Sequence, residues 1–113
     1  MKGERMLIQT GGGLLEMCVL AVLDREDLYG YRLTRQVRQV LDVSESALYP
    51  VLRRLKKEGL LETYDTEMDG RNRRYYRMTA AGRERLTQYC SEWRQLTAGI
   101  DRILEGEWQD DKT

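Results

Sequence analysis

Apolar residues recur along this chain at two different periods, and the changes of period mark out its elements. From Leu14 to Leu23 the chain is apolar on nearly every side, broken only by Glu16. That pattern predicts a buried first helix ending near Asp24. From Tyr31 to Leu41 the spacing is amphipathic: Leu33, Val37, Val40 and Leu41 face inward, and Arg32, Arg35 and Arg38 face outward. A turn at Asp42-Val43 leads to a third helix, capped by Ser44 or Ser46. Leu48, Val51, Leu52 and Leu55 share one face of it. Gly59 ends that helix as a left-handed cap. Two strands follow, about Leu60 to Thr66 and Arg73 to Met78, joined by a tight turn at Asp69-Gly70. Thr79 caps a long last helix reaching about Gly106, and a polar tail closes the chain at Thr113.

This order predicts a mainly α fold with a small β-hairpin: a winged helix-turn-helix followed by a long C-terminal helix. Residues 1–79 form the winged domain with its N-terminal helix, and 80–113 the last helix and tail. A chain of 113 residues has room for one core. Gly11-Gly12-Gly13 sets a short N-terminal segment apart from the first helix.

Charge narrows the function classes. The net charge is zero, so this is no general polycation, and any hold on nucleic acid must come from local charge. Between Ser44 and Arg77 there are eight basic and six acidic residues, a local excess of +2. No histidine is present, and Cys18 and Cys90 lack metal-type spacing, so neither a metal nor a cofactor is expected. The glycine run lacks the lysine and hydroxyl of a phosphate loop, and no serine has a base beside it; the chain does not read as an enzyme. The first apolar run is too short to cross a membrane and has no small-residue cleavage site. The two cysteines then read as small buried hydrophobes in a reducing cytoplasm.

The third helix has a second face. Opposite its apolar stripe lie Ser46, Pro50, Arg53 and Lys57, with Tyr49 and Arg54 on the flanks and Ser44 at the start. A core helix needs only the apolar stripe. A helix entering the major groove needs small polar groups near its start, then arginines for guanine edges and phosphates. A solvated charged face would look the same in isolation. The arginine-rich hairpin just after it, with Arg71, Arg73 and Arg74, favours the groove. Arginines at such a tip pair with phosphates or enter the minor groove. Tyr75 and Tyr76 alternate, so one packs inward and the other outward.

In the last helix Leu86, Trp93 and Ile100 recur every seven residues. Tyr89, Cys90, Leu96 and Ile103 fill the intervals. A heptad stripe of this length predicts a homodimer seam, with packing on its own domain as the plainer reading. Gly99 marks a close approach in that seam. Trp93 is either core or a platform on which a flat ligand stacks between subunits.

Three motifs resemble the PadR family of bacterial transcriptional regulators in its compact form: Leu28-Tyr29-Gly30-Tyr31-Arg32-Leu33, then Leu48-Tyr49-Pro50 through Gly59-Leu60, then Arg73-Arg74-Tyr75-Tyr76-Arg77-Met78-Thr79 with Gly82. The resemblance spans about Leu14 to Leu104. It implies a winged helix with a dimerising last helix, and ligand-responsive repression. It implies duplex contacts through the helix bearing Tyr49-Pro50, at Ser46, Tyr49 and Arg53, and through the wing arginines. It also implies a flat aromatic effector at Trp93, a property of some compact relatives. Arg32 departs from the acid usual at that place, and the Gly11–Gly13 run is more flexible than usual.

Two functions follow. One is a homodimeric repressor that reads a near-palindromic operator in double-stranded DNA. The other is a winged-helix interaction module without specific DNA binding, which the zero net charge suits.

Overall fold

The computed structural model describes residues 12–107. Gly11, the rest of the N-terminal segment, Trp108 and the remainder of the polar tail lie outside them. The order is α1 (Gly13–Leu23), β1 (Leu28–Tyr29), α2 (Gly30–Arg38), α3 (Glu45–Lys57), β2 (Leu61–Met68), β3 (Arg71–Met78) and α4 (Ala80–Leu104). The sheet is antiparallel with order β1-β3-β2. The chain therefore has the expected four helices and hairpin, in a winged-helix arrangement.

Local chemistry sets the boundaries. The Ser44 hydroxyl accepts from the Ala47 N–H at 3.2 Å, so Ser44 and not Ser46 caps α3. Gly59, at φ 79°, ends α3: its N–H bonds the Lys56 carbonyl and the Leu60 N–H bonds the Leu55 carbonyl. These two bonds form a Schellman motif, which satisfies carbonyls a helix end otherwise leaves open. Asp69 and Gly70 both have positive φ, 54° and 75°, as a two-residue hairpin turn requires. β2 and β3 then pair along their length, from Leu61 opposite Met78 to Met68 opposite Arg71.

One core unites α1, α2, α3, the sheet and the start of α4. Val19, Leu20, Leu33, Leu48 and Leu55 are fully buried in it, and Leu86 and Tyr89 of α4 join them. The core thus runs across residue 79. Gly82 makes this possible, because a Cβ there would overlap the Leu60 carbonyl oxygen. Thr79 reinforces the joint by donating to the Gly59 carbonyl at 2.7 Å and accepting from Gly82 N–H.

Two features depart from the sequence pattern here. Val40 is not on the inner stripe of α2; it is 82% exposed. The helix ends at Arg38, and the Val40 N–H bonds Val37 in a tighter turn that swings the side chain outward. The other is β1, which the sequence does not announce: Leu28 and Tyr29 pair with Tyr76 and Tyr75 as a third strand.

Candidate nucleic-acid interface

The exposed face of α3 carries Ser46, Tyr49, Pro50, Arg53 and Lys57, with Ser44 exposed at its cap. Tyr49 is 46% exposed. Pro50 has no N–H, so the Ser46 carbonyl one turn back lacks its usual helical donor. A shallow groove lined by Arg53, Arg54, Lys56 and Lys57 continues the basic surface toward the C-terminal end of the helix. Among the described residues, neither Arg53 nor either lysine is engaged by a carboxylate.

Arg54 behaves otherwise. Expected beside the reading face, it turns back and donates from Nε and Nη2 to Glu16 Oε2 at 2.9 and 2.6 Å. Glu16 is buried, and its Oε1 accepts from the Tyr89 hydroxyl at 2.5 Å, with Arg85 3.9 Å away. The cause is simple: a carboxylate placed among apolar residues of α1 must be paired, and α3 supplies the nearest guanidinium. Burial chiefly, and the carboxylate beside it, push the Tyr89 hydroxyl well above the ordinary tyrosine pKa.

The wing separates its arginines by strand alternation. Arg74 lies on the side of Tyr76, the tyrosine that packs on the core, and its Nε bonds Asp65 on the facing strand at 3.2 Å. The Tyr76 hydroxyl has its pKa raised, first by burial; the Arg74 charge opposes this and Tyr49 adds to it. Arg73 lies on the opposite side, its guanidinium 4.3 Å from the Tyr29 ring centroid. There Tyr75 stacks on Tyr64 at 5.6 Å and meets Tyr29 edge-on at 5.7 Å. Tyr64 donates to Asp27 at 2.6 Å, the main cause of its raised pKa. Arg71 sits exposed beside the turn. The sequence does not announce this aromatic cluster, because nothing around Leu28-Tyr29 marks a strand; the alternation of Tyr75 with Tyr76 is the one local signal.

The seam residues divide. Leu86 and Tyr89, expected to face a partner, are 8% and 1% exposed and belong to the protomer's own core. Cys90 and Leu96 are partly buried against it. Trp93, Ile100 and Ile103 remain 42%, 42% and 58% exposed. The heptad gives the apolar spacing, but within the first three turns of α4 the protomer's own core already covers Leu86 and Tyr89.

Residues 19–88 match the Transcriptional regulator PadR-like family. The crystal structure of smu.1704 from Streptococcus mutans is similar at a TM-score of 0.81 and 38% identity, covering 87% of this chain and 92% of that one. Transcriptional regulator Rv3488 of Mycobacterium tuberculosis is 44% identical over 63 residues, 55% of this chain and 59% of that protein. Bacillus subtilis PadR, solved in complex with operator DNA, shares the fold at a TM-score of 0.61 and 24% identity, over 68% of this chain and 46% of that one. The family is one of transcriptional regulators, not enzymes. With well over half its length matched, the chain belongs to the Transcriptional regulator PadR-like family.

Proposed function

We propose that this regulator is a homodimeric, sequence-specific DNA-binding repressor of the bacterial cytoplasm, released by a flat aromatic effector. The observation that carries the DNA-binding reading is the exposed α3 face of Tyr49, Arg53 and Lys57, followed by a hairpin with Arg71 exposed beside its turn. Arginine reads guanine edges bidentately, and wing cations neutralise phosphates. Bacillus subtilis PadR, a protein of the same fold solved in complex with operator DNA, supports a DNA-binding role.

Dimerisation rests on Trp93, Ile100 and Ile103, an apolar row on the free half of α4. Burying such side chains is worth roughly 1.5–3 kcal/mol each. Two copies joined there carry two α3 helices, suited to half-sites about 34 Å apart, one helical turn. Residues 1–79 then supply the duplex contacts and those from 80 onward the pairing. Trp93, open on one protomer, forms a two-walled slot only with its counterpart, and a flat aromatic compound fits such a slot. Two free cysteines suit a reducing compartment, and no helix among the described residues is long and apolar enough to cross a membrane.

Selection from a random duplex library at about 0.15 M salt, followed by sequencing, tests the reading. The expected result is a near-palindrome with half-sites one turn apart. Failure to enrich any sequence, with binding lost on adding salt, would instead support the interaction module that the zero net charge suits.

A further inference from the structure

Glu16 is the one buried charged residue among the described residues. Replacing a buried ionic network by apolar side chains of similar volume is often neutral or stabilising, so stability alone does not account for it. What such a network supplies, and apolar contact does not, is direction: its bonds hold only over a narrow range of distance and angle. Three helices meet here, with Glu16 on α1, Arg54 on α3, and Arg85 and Tyr89 on α4. Arg54 gives two bonds to one carboxylate oxygen, and Tyr89 gives one to the other. Gly12 closes the junction from the start of α1, where a Cβ would lie 2.7 Å from Arg54 Nη2. Arg85 Nη1 lies 3.9 Å from Glu16 and also 3.9 Å from Glu58, the C-cap of α3.

α3 and α4 have little packing on each other; both lie against α1. They are also tied where the Thr79 hydroxyl donates to the Gly59 carbonyl and the Thr79 N–H to the Leu60 carbonyl. A single tie of that kind is a pivot and leaves the angle between two helices open. The Glu16 junction is a second tie, five residues back along the chain from Gly59 and ten residues on from Thr79. Two ties fix the angle. Small angles matter because α4 is long. Ile100 lies twenty-one residues beyond Thr79, about 32 Å of helix, so a tilt of about 6° shifts that end by roughly 3 Å.

We propose that Glu16 is a positioning residue that fixes α3 against α4, and through that angle holds the two reader helices of a dimer at the spacing of the operator's half-sites. This rests on the dimeric DNA-binding reading above and adds to it the residue that carries geometry from the seam to the readers. A reader already held over the second half-site meets it at high effective concentration. A loosened joint lowers that concentration and leaves untouched the contacts each α3 makes with its bases.

The test compares the full-length wild type with Glu16→Gln, with Tyr89→Phe, and with Val37→Ala as a core control. Val37 is 2% exposed on α2 and outside the junction. Affinity is measured for the selected operator, for that operator with one base pair inserted between its half-sites, and for a single half-site. One inserted base pair moves a half-site by about 3.4 Å and turns it by about 35°, which a rigid dimer cannot follow. The ratios among the three duplexes are read, not the absolute affinities. In Glu16→Gln the operator's advantage over the other two should fall by about tenfold. Tyr89→Phe should lie between it and the wild type, and Val37→Ala should keep the wild-type ratios. Wild-type ratios in Glu16→Gln, with only its melting temperature lowered, overturn the proposal and leave Glu16 a stabilising residue. An equal fall in Val37→Ala also overturns it, since lost stability would then be the cause. Should Glu16→Gln fail to fold, the ratios of Tyr89→Phe decide alone. A wild type with no preference for two half-sites over one removes the dimeric reading itself, and the proposal with it.

Discussion

The Tyr89 hydroxyl donates to Glu16 Oε1 across 73 residues of sequence, joining α4 to α1 inside the core. The other oxygen of the same carboxylate holds Arg54 of α3. One buried acid thus connects the helix proposed to read DNA with the helix proposed to pair subunits. Tyr89→Phe keeps the ring's packing and removes one donor, leaving Oε1 with only the distant Arg85. The expected loss is about 1–3 kcal/mol, the usual cost of an under-satisfied buried acceptor. Urea unfolding checks it, and Glu16→Gln combined with Tyr89→Phe should show non-additivity of about 0.5–3 kcal/mol. Additive losses would mean the two groups do not depend on each other.

The same bond predicts behaviour in alkali. Tyr89 has a folded-state pKa raised by burial and by Glu16 above the ordinary value of 10.0. A group raised in this way contributes stability that is complete below its unfolded pKa and is lost as pH rises toward the folded one. From about pH 10 upward, wild-type stability should fall by as much as roughly 1.4 kcal/mol per pH unit from this group alone. Tyr64 and Tyr76 are raised as well, so the informative quantity is the difference from Tyr89→Phe, which should have the shallower alkaline limb. Parallel pH curves for the two proteins would remove Tyr89 as the cause.

Much of this fold was legible because its signals are local. Ser44, Gly59, Asp69-Gly70 and Thr79 each satisfy or redirect the backbone within a few residues, so the sequence places their caps and turns directly. The apolar stripe of α3 was equally plain, since period alone places Leu48, Val51, Leu52 and Leu55 inward. What escaped depends on distant partners. Nothing near Leu28-Tyr29 marks a strand; β3 makes it one by pairing 47 or so residues later. Arg54 looked like a member of the basic face because periodicity places a Cβ, whereas the guanidinium follows Glu16, 38 positions away. Leu86 and Tyr89 fit a heptad, but a stripe cannot say which apolar surface will cover it.

Two glycines of α4 should respond in opposite ways to alanine. At Gly82 the new methyl meets the Leu60 carbonyl, backbone that cannot move without disturbing the end of α3. Overpacking of this kind costs about 1–3 kcal/mol or more. At Gly99 nothing lies within 4 Å in the protomer, so alanine should stabilise the isolated helix by about 1 kcal/mol. If the seam uses Gly99 for close approach, the same change should weaken dimerisation, seen by sedimentation over a concentration series. A Gly99→Ala protein that is more stable and equally dimeric places the contact elsewhere on α4.

Arg53 and Arg71 should separate reading from holding. Arg53 lies exposed on the face of α3 proposed to enter the groove, and Arg71 beside the hairpin turn. Arg53→Ala should cost roughly 1–3 kcal/mol on the operator and relax the preference at one base pair. Arg71→Ala should weaken all duplexes alike and reduce the salt slope by about one. Competition binding with operator variants decides between them. Unaltered affinity and preference in Arg53→Ala would move the reading residue to Tyr49 or Lys57.

Trp93 offers two linked readouts. It is 42% exposed at the start of the free apolar row, between the core-packed beginning of α4 and Ile100. A seam there buries the indole, so Trp93→Ala should shift the monomer–dimer equilibrium toward monomer. Loss of a buried aromatic anchor costs about 2 kcal/mol or more, some thirtyfold in dissociation constant. If flat aromatic compounds stack between paired indoles, they should quench the wild-type fluorescence and lower its affinity for the operator, and do neither in Trp93→Ala. Trp108, the other tryptophan, keeps the variant fluorescent and so serves as the internal control. Quenching that survives the substitution would place the effector against Trp108. Dimerisation that survives it would show that Ile100 and Ile103 hold the subunits together without the ring.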